Sequence, residues 1–294
     1  MTSIITNIPA MSALQTLRAI NSNLEATQDR VSSGYRVSEA KDNVAYWSIS
    51  TTMNSDNKAL GAAIDALGVG AAKVDVAYAG VESAIDVVNE IKAKLVSASE
   101  TSTDNDQIQL EIEKLQEQLR SIAEGASFSG ENWLTGRDGS DNPITTGTVV
   151  DGFIRQGSSV LVTTADVDLE DIIFFGDVDA GTGGILGDVN GITLESTDDL
   201  DDIDAYLTIA ENTMTALNKA GATLGALSTR IDLQDTFASK LSDSIESGVS
   251  RLVDADMEEE SAKLSALQTQ QQLAIQSLSI ANTSAQNILT LFRQ

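Results

Sequence analysis

The stretch that decides the fold is LSALQTQQQLAIQSLSIANTSAQNILTLF, residues 264–292. It contains no Asp, Glu, Lys or Arg, although the whole chain of 294 residues has 18 basic and 44 acidic side chains. Mostly apolar or small residues recur at alternating steps of three and four, which is the spacing of a coiled-coil seam. These positions are Leu264, Leu267, Gln271, Ala274, Leu278, Ala281, Ala285, Ile288 and Phe292. The pattern predicts a long helix that packs along one side against another helix.

The other side of this predicted helix is polar but uncharged. A solvated helix face normally carries Lys and Glu. This face instead presents amide and hydroxyl side chains, among them Gln268, Gln272, Gln276, Ser279, Asn282 and Gln286. We therefore expect the helix to be surrounded by protein or to line a space.

The start of the chain carries a matching pattern. Residues 1–17 also lack charged side chains, and the same alternation runs through Asn7, Ala10, Leu14, Leu17, Asn21, Leu24, Gln28 and Val31. Pro9 suits the first turn of a helix and Gly34 suits its C-cap. Both seams hold weakly binding residues, and isolated helices are marginally stable in water. We predict that the two terminal helices pair and become stable when many copies assemble.

The residues predicted to form this assembly interface are the apolar and small members of the two seams. They are Leu14, Leu17, Leu24, Val31, Leu264, Leu267, Ala274, Leu278, Ala281, Ile288 and Phe292. An intramolecular helical hairpin is the simpler alternative, since coiled-coil seams are often internal.

Two longer apolar stripes lie between the terminal helices. One runs from Leu60 to Leu95 and the other from Leu217 to Leu252, and a shorter helix is predicted to end at Gly125. The two long stripes match in length and could pack side by side. Trp47 and Trp133 are expected to pack in cores. The predicted fold class is therefore mainly α, a long antiparallel helical bundle or coiled-coil rod.

The middle of the chain has a different character. Residues 136–204 hold 11 of the 21 glycines and 16 acidic residues against Arg137 and Arg155. The segments 147–154 and 159–164 are rich in Val, Ile, Thr and Phe and are predicted to be short strands. The predicted domains are a terminal coiled-coil domain (1–42 and 255–294), a helical rod domain (43–136 and 204–254) and a small, acidic, solvent-exposed β-rich insertion (137–203).

The composition argues against several classes of function. A net charge of −26 would repel nucleic acid and anionic membrane surfaces. The chain has no Cys and no His, which excludes disulfides, imidazole or thiolate metal sites, and Ser/His/Asp or Cys/His catalysis. Residues 1–10 have neither a basic region nor a long apolar run, so no cleavable secretory signal is predicted. We expect no enzyme activity, no cofactor, no metal, no nucleic acid and no membrane partner.

Several motifs resemble one known family. DRVSSGYRV at 29–37, followed by AKD at 40–42, is similar to the N-terminal signature of bacterial flagellins. SGVSRLVDADM at 247–257, LQTQQQL at 267–273 and NILTLFR at 287–293 resemble the C-terminal region of proteobacterial flagellins. The resemblance covers about residues 1–136 and 204–294.

This resemblance implies a fold and a function. In flagellins the terminal helices pair as an inner domain around a central channel, with the C-terminal helix innermost, so Gln268, Gln272, Gln276, Ser279, Asn282 and Gln286 become candidate channel-lining residues. It implies a subunit that self-assembles into the helical flagellar filament, alone or together with other flagellins, and serves swimming motility. It also implies export without a cleaved signal peptide, an extracellular location, and partners in the flagellar export apparatus, a chaperone, and the hook-associated and cap proteins.

Two alternatives remain open at this point, one a related structural protein and one an enzyme. A hook-filament junction protein shares similar terminal helices, although the Gln-rich C-terminal motif favours flagellin. A glycosidase with a pair of carboxylates in the acidic insertion is the enzymatic alternative. Residues 166–171 and 177–181 approach calcium-loop patterns, but each departs from the required residues.

Overall fold

The structure is a computed structural model that describes residues 7–100, 104–138, 140, 142–156, 159–195 and 200–291. Side chains are described over the same ranges except at residues 159–160 and 284–291. The elements, in chain order, are helices α1 (Ile8–Ser33), α2 (Val44–Ala98) and α3 (Asn105–Gly125), strands β1 (Thr146–Gln156) and β2 (Ser159–Asp168), and helices α4 (Gly187–Asn190), α5 (Leu200–Val253) and α6 (Met257–Leu291). The described chain is mainly helical with one small sheet, as predicted.

Both ends of α1 follow from local chemistry. The Asn7 side chain accepts a hydrogen bond from the Ala10 N–H at 3.1 Å, and Pro9 lies in the first turn. Gly34 ends the helix with a φ of +75°, and its N–H donates to the Arg30 carbonyl at 2.9 Å. These are the N-cap and left-handed C-cap arrangements. The predicted start and end of the helix are confirmed.

The chain divides into two compact units, which are described separately. Unit 1 comprises the described parts of residues 1–57 and 243–294, and unit 2 comprises those of 58–242. The divisions fall inside α2 and α5, whereas the sequence placed domain boundaries at 42/43 and 254/255. The first turns of α2 and the last turns of α5 therefore group with the terminal helices.

Unit 1 has a small core where α5 ends. Val37, Val249 and Val253 are buried there, with Met53, Ile245 and Leu252 packed against them. The backbone joins the same segments, because the N–H groups of Arg36 and Val37 both donate to the Val253 carbonyl at 2.7 and 3.2 Å. The Ala255 N–H donates to the Gly34 carbonyl at 2.9 Å. The segment after α1 is thereby fixed to the segment before α6.

Unit 2 is built around α2 and α5. The predicted stripe of α5 is partly or fully buried along its length, and so is the predicted stripe of α2 apart from Tyr78, which is exposed. A second row on α2 is also buried, including Ala63, Ala77, Ala84, Val87 and Ile91. Side chains three and four residues apart share one helix face. Two buried rows mean that this part of α2 is covered on two sides.

Strands β1 and β2 form one antiparallel hairpin. Thr146 pairs with Asp168 and Gln156 with Ser159, and the register shifts between Val150 and Gly152 as a β-bulge. The two predicted strands are confirmed, and each extends beyond its predicted limits. Asp151, the extra residue of the bulge, accepts a hydrogen bond from Arg230 of α5 at 2.8 Å.

The middle segment is not the separate, exposed insertion that the sequence predicted. Its residues Leu169, Ile172, Phe174 and Phe175 are completely buried and belong to the same core as α2, α3 and α5. Only the hairpin is regular β structure among the described residues of this segment. The acidic side chains lie between apolar residues that point inward, so an average over the segment masks its buried face.

Two buried amides hold the irregular segments of unit 2 in place. The Gln116 amide donates to the carbonyls of Val189 and Ile192 at 3.0 and 2.9 Å. The Asn132 amide donates to the Ala123 carbonyl at 2.6 Å, and its oxygen accepts from the Leu134 and Thr135 N–H groups. Buried backbone groups outside regular structure need such partners. Neither amide was singled out from the sequence, because a single Gln or Asn carries no periodic signal.

Candidate assembly surface

The predicted seam of α6 is the side that packs against α1. Over residues 264–283, the partly or fully buried side chains are those of the seam and no others, namely Leu264, Leu267, Gln271, Ala274, Leu278 and Ala281. Helix α6 makes its main contacts with α1. These residues therefore join the two terminal helices of one chain.

The seam of α1 is rotated from the predicted one. Leu17, Leu24 and Val31 are partly buried, as are Asn7 and Ala10, whereas Leu14 is 38% exposed. Ala13, Ile20 and Thr27 are covered in place of Leu14, Asn21 and Gln28. Neighbouring residues lie 100° apart on a helix, so two adjacent stripes have the same three-four spacing and only the position of the partner helix selects between them.

Two hydrogen bonds fix the register of α1 against α6. The Asn7 amide donates to the Ala281 carbonyl at 3.2 Å, and the Gln271 amide donates to the Asn21 side-chain oxygen at 2.8 Å. As α1 runs forward, its partners on α6 run backward, so the helices are antiparallel. Polar residues within a seam specify register at some cost in stability.

An ion pair between α1 and α6 is a third contact that fixes this pairing, after the two hydrogen bonds. Arg30 Nη1 lies 3.4 Å from Glu260 Oε1, and the Glu260 side chain is only 8% exposed. Lys263 Nζ lies 3.4 Å from the same oxygen. A buried carboxylate with two cationic partners is costly to leave unpaired. Glu260 was not among the predicted site residues, since one Glu in an acidic first turn gives no distinct sequence signal.

The candidate channel-lining residues lie on an exposed face of α6. Gln268, Gln272, Gln276, Ser279 and Asn282 are all exposed. At 100° per residue this face is roughly a third of a turn from the seam. Ile275, which is 53% exposed, lies among the polar side chains. The side chains of Gln286 and Ile288, and the whole of Phe292, lie outside the described residues.

The end of the α1–α6 pair at Asn7 and Ala281 carries exposed apolar side chains without charges. Residues 7–17 and 264–283 contain no charged residue. The exposed members are Ile8 (61%), Met11 (56%), Leu14 (38%), Leu273 (60%) and Ile280 (65%), and we call this set the free-end patch. At 100° per residue, Ile8 and Met11 lie on the side of α1 away from α6, and Leu273 and Ile280 lie on the side of α6 away from α1.

A second set of exposed apolar side chains lies at the start of α2 and in the segment before it. Its members are Tyr35, Val44, Tyr46, Trp47 and Ile49, and we call this set the aromatic patch. Trp47 is 39% exposed, so the expectation that it packs in a core was wrong, whereas Trp133 is buried. Asn43 caps α2, because its side-chain oxygen accepts a hydrogen bond from the Tyr46 N–H at 3.1 Å.

The aromatic patch adjoins the place where two of the sequence motifs meet. Tyr35 forms an antiparallel bridge with Asp254, and the Arg36 guanidinium donates to the Leu252 carbonyl at 3.0 Å. In the loop that follows, the Asp42 carboxylate accepts from the N–H groups of Ser38 and Glu39, both at 3.1 Å. Hydrogen bonds from the Glu39 N–H and from Ser38 lower the pKa of Asp42. The connection between α1 and α2 is thus held by specific contacts.

Three observations on the described part of the chain concern other kinds of site. A cavity of about 430 Å³ in unit 2 is lined by polar residues that include Glu124, Arg137, Asp138 and Asp179. No group of three or more His, Cys, Asp or Glu side chains is arranged to hold a metal ion among the residues described. None of the described helices combines the length and apolar content that a membrane crossing requires.

The comparisons with known proteins point to one family. The model of the bacterial flagellin N-terminal helical region matches residues 4–138, and that of the C-terminal helical region matches residues 207–292. Flagellin C of Rhizobium meliloti strain 1021 is 47% identical and flagellin of Brucella melitensis biotype 1 is 46% identical, each over the full length of both chains. The match to the crystal structure of Bacillus cereus flagellin covers 61% of this chain and 88% of that chain, with a TM-score of 0.40 and 14% sequence identity.

Proposed function

The chain belongs to the bacterial flagellin family, and from this we propose that α1 and α6 of each subunit form the core of the flagellar filament. Flagellins are structural proteins that self-assemble into the extracellular filament used for swimming motility. The chain is therefore a filament subunit and not an enzyme. The relatives matched over full length are flagellins, which favours this function over that of a hook-filament junction protein.

The observation that carries this proposal is the absence of charge on an exposed helix. Residues 264–283 lack any charged side chain, yet most of them are exposed in the single chain. A helix with an exposed polar face normally carries charges. A face without them, with Leu273 and Ile280 about 60% exposed, is suited to contact with other subunits.

Most of the predicted assembly residues lie between α1 and α6 of one subunit and contribute to assembly indirectly. Most of them join α1 to α6 within a subunit, namely Leu17, Leu24, Leu264, Leu267, Ala274, Leu278 and Ala281. This pairing builds the surface that other subunits meet. Val31 is partly buried near the C-terminal end of α1, and Leu14 is exposed in the free-end patch. We place Ile288 and Phe292 in the same interface from the sequence pattern alone.

Seeded growth of filaments tests this assignment. The purified chain, incubated with short filament seeds, should extend them under the electron microscope, and a chain lacking residues 264–294 should not. Because the truncation also uncovers the seam of α1, a second variant carries Leu273→Glu with Ile280→Glu, which leaves the seam intact. The matched control is Leu110→Glu on α3, where the leucine is 62% exposed. Growth of the α6 variants, or an equal loss in the control, would contradict the assignment.

We further propose that the polar face of α6 lines the channel through which subunits travel. Gln268, Gln272 and Gln276 are exposed and uncharged, so they offer few strong contacts to a passing chain. Replacing all three with Glu should shorten the filaments on cells, while the triple Asn variant should leave the length unchanged. Equal filament lengths in the two variants would remove the support for a channel-lining role.

From its membership of the flagellin family we propose that the chain is exported without a cleaved leader. Mass spectrometry of detached filaments should then recover a peptide that begins at residue 1 or 2. A mature N-terminus further along the chain would contradict the proposal. The flagellar export apparatus, a chaperone, and the hook-associated and cap proteins are the partners expected along this route.

A further inference from the structure

We propose that Asn190 is a deamidation site whose reaction is blocked by the fold and proceeds when the segment around α4 opens. The chain has a single Asn that is followed by Gly, at residues 190 and 191. Such a pair readily loses its side-chain amide, because glycine has no Cβ to hinder the approach of its backbone nitrogen to the asparagine side chain. The site lies in unit 2, and its chemistry is independent of the proposed function.

The reaction joins atoms of the two adjacent residues. The Gly191 backbone nitrogen attacks Cγ of the Asn190 side chain and gives up its proton to water or hydroxide. The bond from Cγ to Nδ2 breaks, and Nδ2 takes up a proton and leaves as ammonia. A succinimide ring remains, and water opens it at either of its carbonyl carbons to give aspartate or isoaspartate at residue 190. Water is the only other reactant.

The attacking nitrogen is held by the hydrogen bonds of α4. The Gly191 N–H donates to the carbonyls of Gly187 and Asp188 at 3.1 and 3.3 Å, and the Asn190 N–H donates to the Leu186 carbonyl at 2.9 Å. Asn190 is the last residue of this short helix. The succinimide ring requires a backbone conformation at residue 190 that lies outside the helical region. The ring can therefore close only after α4 has opened.

The side chain that is attacked is held by another part of the chain. Asn190 Nδ2 donates to the Gly181 carbonyl at 3.0 Å. Gly181 has a φ of +64°, and a Cβ at this residue would lie 2.2 Å from Nδ2, so the glycine leaves room for the amide. The hydrogen bond directs the side chain at Gly181, whereas ring closure requires it to meet the Gly191 nitrogen in an attacking geometry.

Contacts on both sides of the pair oppose this opening. The buried Gln116 amide of α3 donates to the carbonyls of Val189 and Ile192 at 3.0 and 2.9 Å. The side chains of Val189 and Ile192 are 0% and 1% exposed and belong to the core of unit 2. Buried segments open rarely, because they open together with their packing partners. Gly191 itself is exposed, so hydrogen bonding and packing protect the site, and exclusion of solvent does not.

The products cannot remake the native contacts. An ionised carboxylate at residue 190 has no N–H to donate to the Gly181 carbonyl. Isoaspartate also adds a carbon to the backbone between the Val189 and Ile192 carbonyls, which Gln116 binds together. Modification at residue 190 should therefore make this segment easier to open.

A comparison of folded and unfolded chains tests the proposal without any substitution. Both samples are kept at the same mildly alkaline pH, one of them in guanidinium chloride. They are then digested with pepsin at low pH, and mass spectrometry measures aspartate and isoaspartate at residue 190. The folded chain should react more than about tenfold more slowly, because the open segment is a minor population. Equal rates would overturn the proposal, and so would the absence of deamidation in the unfolded chain.

Gly181→Ala tests the part played by the side-chain contact. The added Cβ displaces the Asn190 amide, so the folded variant should deamidate several-fold faster than the unmodified chain, while the two unfolded chains react equally fast. Gly34→Ala is the matched control. That glycine has a similar φ of +75°, but a Cβ there would meet no atom within 4 Å, and the rate at residue 190 should not change.

Two further variants separate the fold from the chemistry. Gln116→Met removes both hydrogen bonds to the backbone around the pair and should also speed the reaction of the folded chain. Unchanged rates in both Gly181→Ala and Gln116→Met, with circular dichroism showing folded protein, would overturn the proposal. Gly191→Ala should slow deamidation of the unfolded chain, because its Cβ hinders the attacking nitrogen. An undiminished rate there would mean that the Gly191 nitrogen is not the nucleophile.

Discussion

Gly34 ends α1 with a backbone conformation that side chains with a Cβ rarely adopt. Its φ of +75° lies in the left-handed region, although a Cβ at this position would meet no atom within 4 Å. Gly34→Ala should therefore destabilise the chain by about 1 kcal/mol through backbone strain alone. Gly225→Ala on α5 is the matched control, since that site is also open but helical, and it should stabilise by roughly 0.5–1 kcal/mol. Thermal unfolding followed by circular dichroism would show shifts of opposite sign, and shifts of the same sign would contradict this account.

Glu131 makes part of the stability of unit 2 depend on pH. Burial raises the pKa of Glu131, but hydrogen bonds from Lys73 and from the Trp133 indole outweigh burial, and the pKa lies below its ordinary value of 4.5. A lowered folded-state pKa means that the ionised carboxylate stabilises the fold above the unfolded-state pKa. This contribution is lost as the pH falls from about 4.5 through the lowered value.

Glu131→Gln should therefore reduce the pH dependence of the free energy of unfolding below about pH 4.5. Trp133 fluorescence in a Trp47→Phe background reports unfolding at this site, because the Trp133 indole donates to Glu131 at 2.7 Å. Glu82→Gln, at an exposed carboxylate on α2, is the control and should keep the original pH profile. An unchanged profile for Glu131→Gln would show that the Lys73 and Trp133 contacts do not hold the carboxylate in its ionised form.

The pairing of α1 with α6 depends on the contact between Arg30, near the end of α1, and Glu260, near the start of α6. Arg30→Met leaves the buried Glu260 carboxylate with Lys263 as its remaining cationic partner, so this variant should lose about 1–3 kcal/mol of stability. Adding Glu260→Met removes the buried charge and should recover part of the loss, because an apolar pair needs no counter-ion. Urea denaturation followed by circular dichroism measures both variants and the Glu260→Met single variant. Additive effects of the two substitutions would mean that the pair is not coupled.

Filament growth should depend strongly on salt because of the charge of the whole molecule. Each added subunit brings a net charge of −26 close to its neighbours, and the repulsion is screened over about 10 Å at 0.1 M salt. Extension of seeds should therefore be faster at 0.15 M than at 0.01 M sodium chloride, as followed by light scattering. A rate that is independent of salt, or that falls as salt is added, would mean that the acidic surfaces remain far apart in the filament.

Much of the helical framework could be read from residues 7–34 and 264–283. The limits of α1 follow from Asn7, Pro9 and Gly34, since caps act on the nearest backbone groups and need no distant partner. The seam of α6 could be read from the sequence because one stripe of regular three-four spacing runs along the charge-free part of the helix. The β-hairpin is equally local, as β-branched residues recur in both of its strands. The net charge of −26 and the absence of Cys and His were likewise fixed before any fold was known.

Other features depended on which surfaces the fold brings together. Ala13, not Leu14, entered the α1 seam because the position of α6 selects one of two equivalent stripes. Phe174 and Phe175 became core residues and Trp47 stayed exposed, although hydrophobicity alone ranks all three as candidates for burial. The buried Glu260 and the segments of unit 1 that meet at Val253 follow from contacts between residues more than 200 positions apart. Periodicity and caps report the backbone nearby, whereas burial is set by long-range packing, and this is why the free-end and aromatic patches emerged from the three-dimensional arrangement.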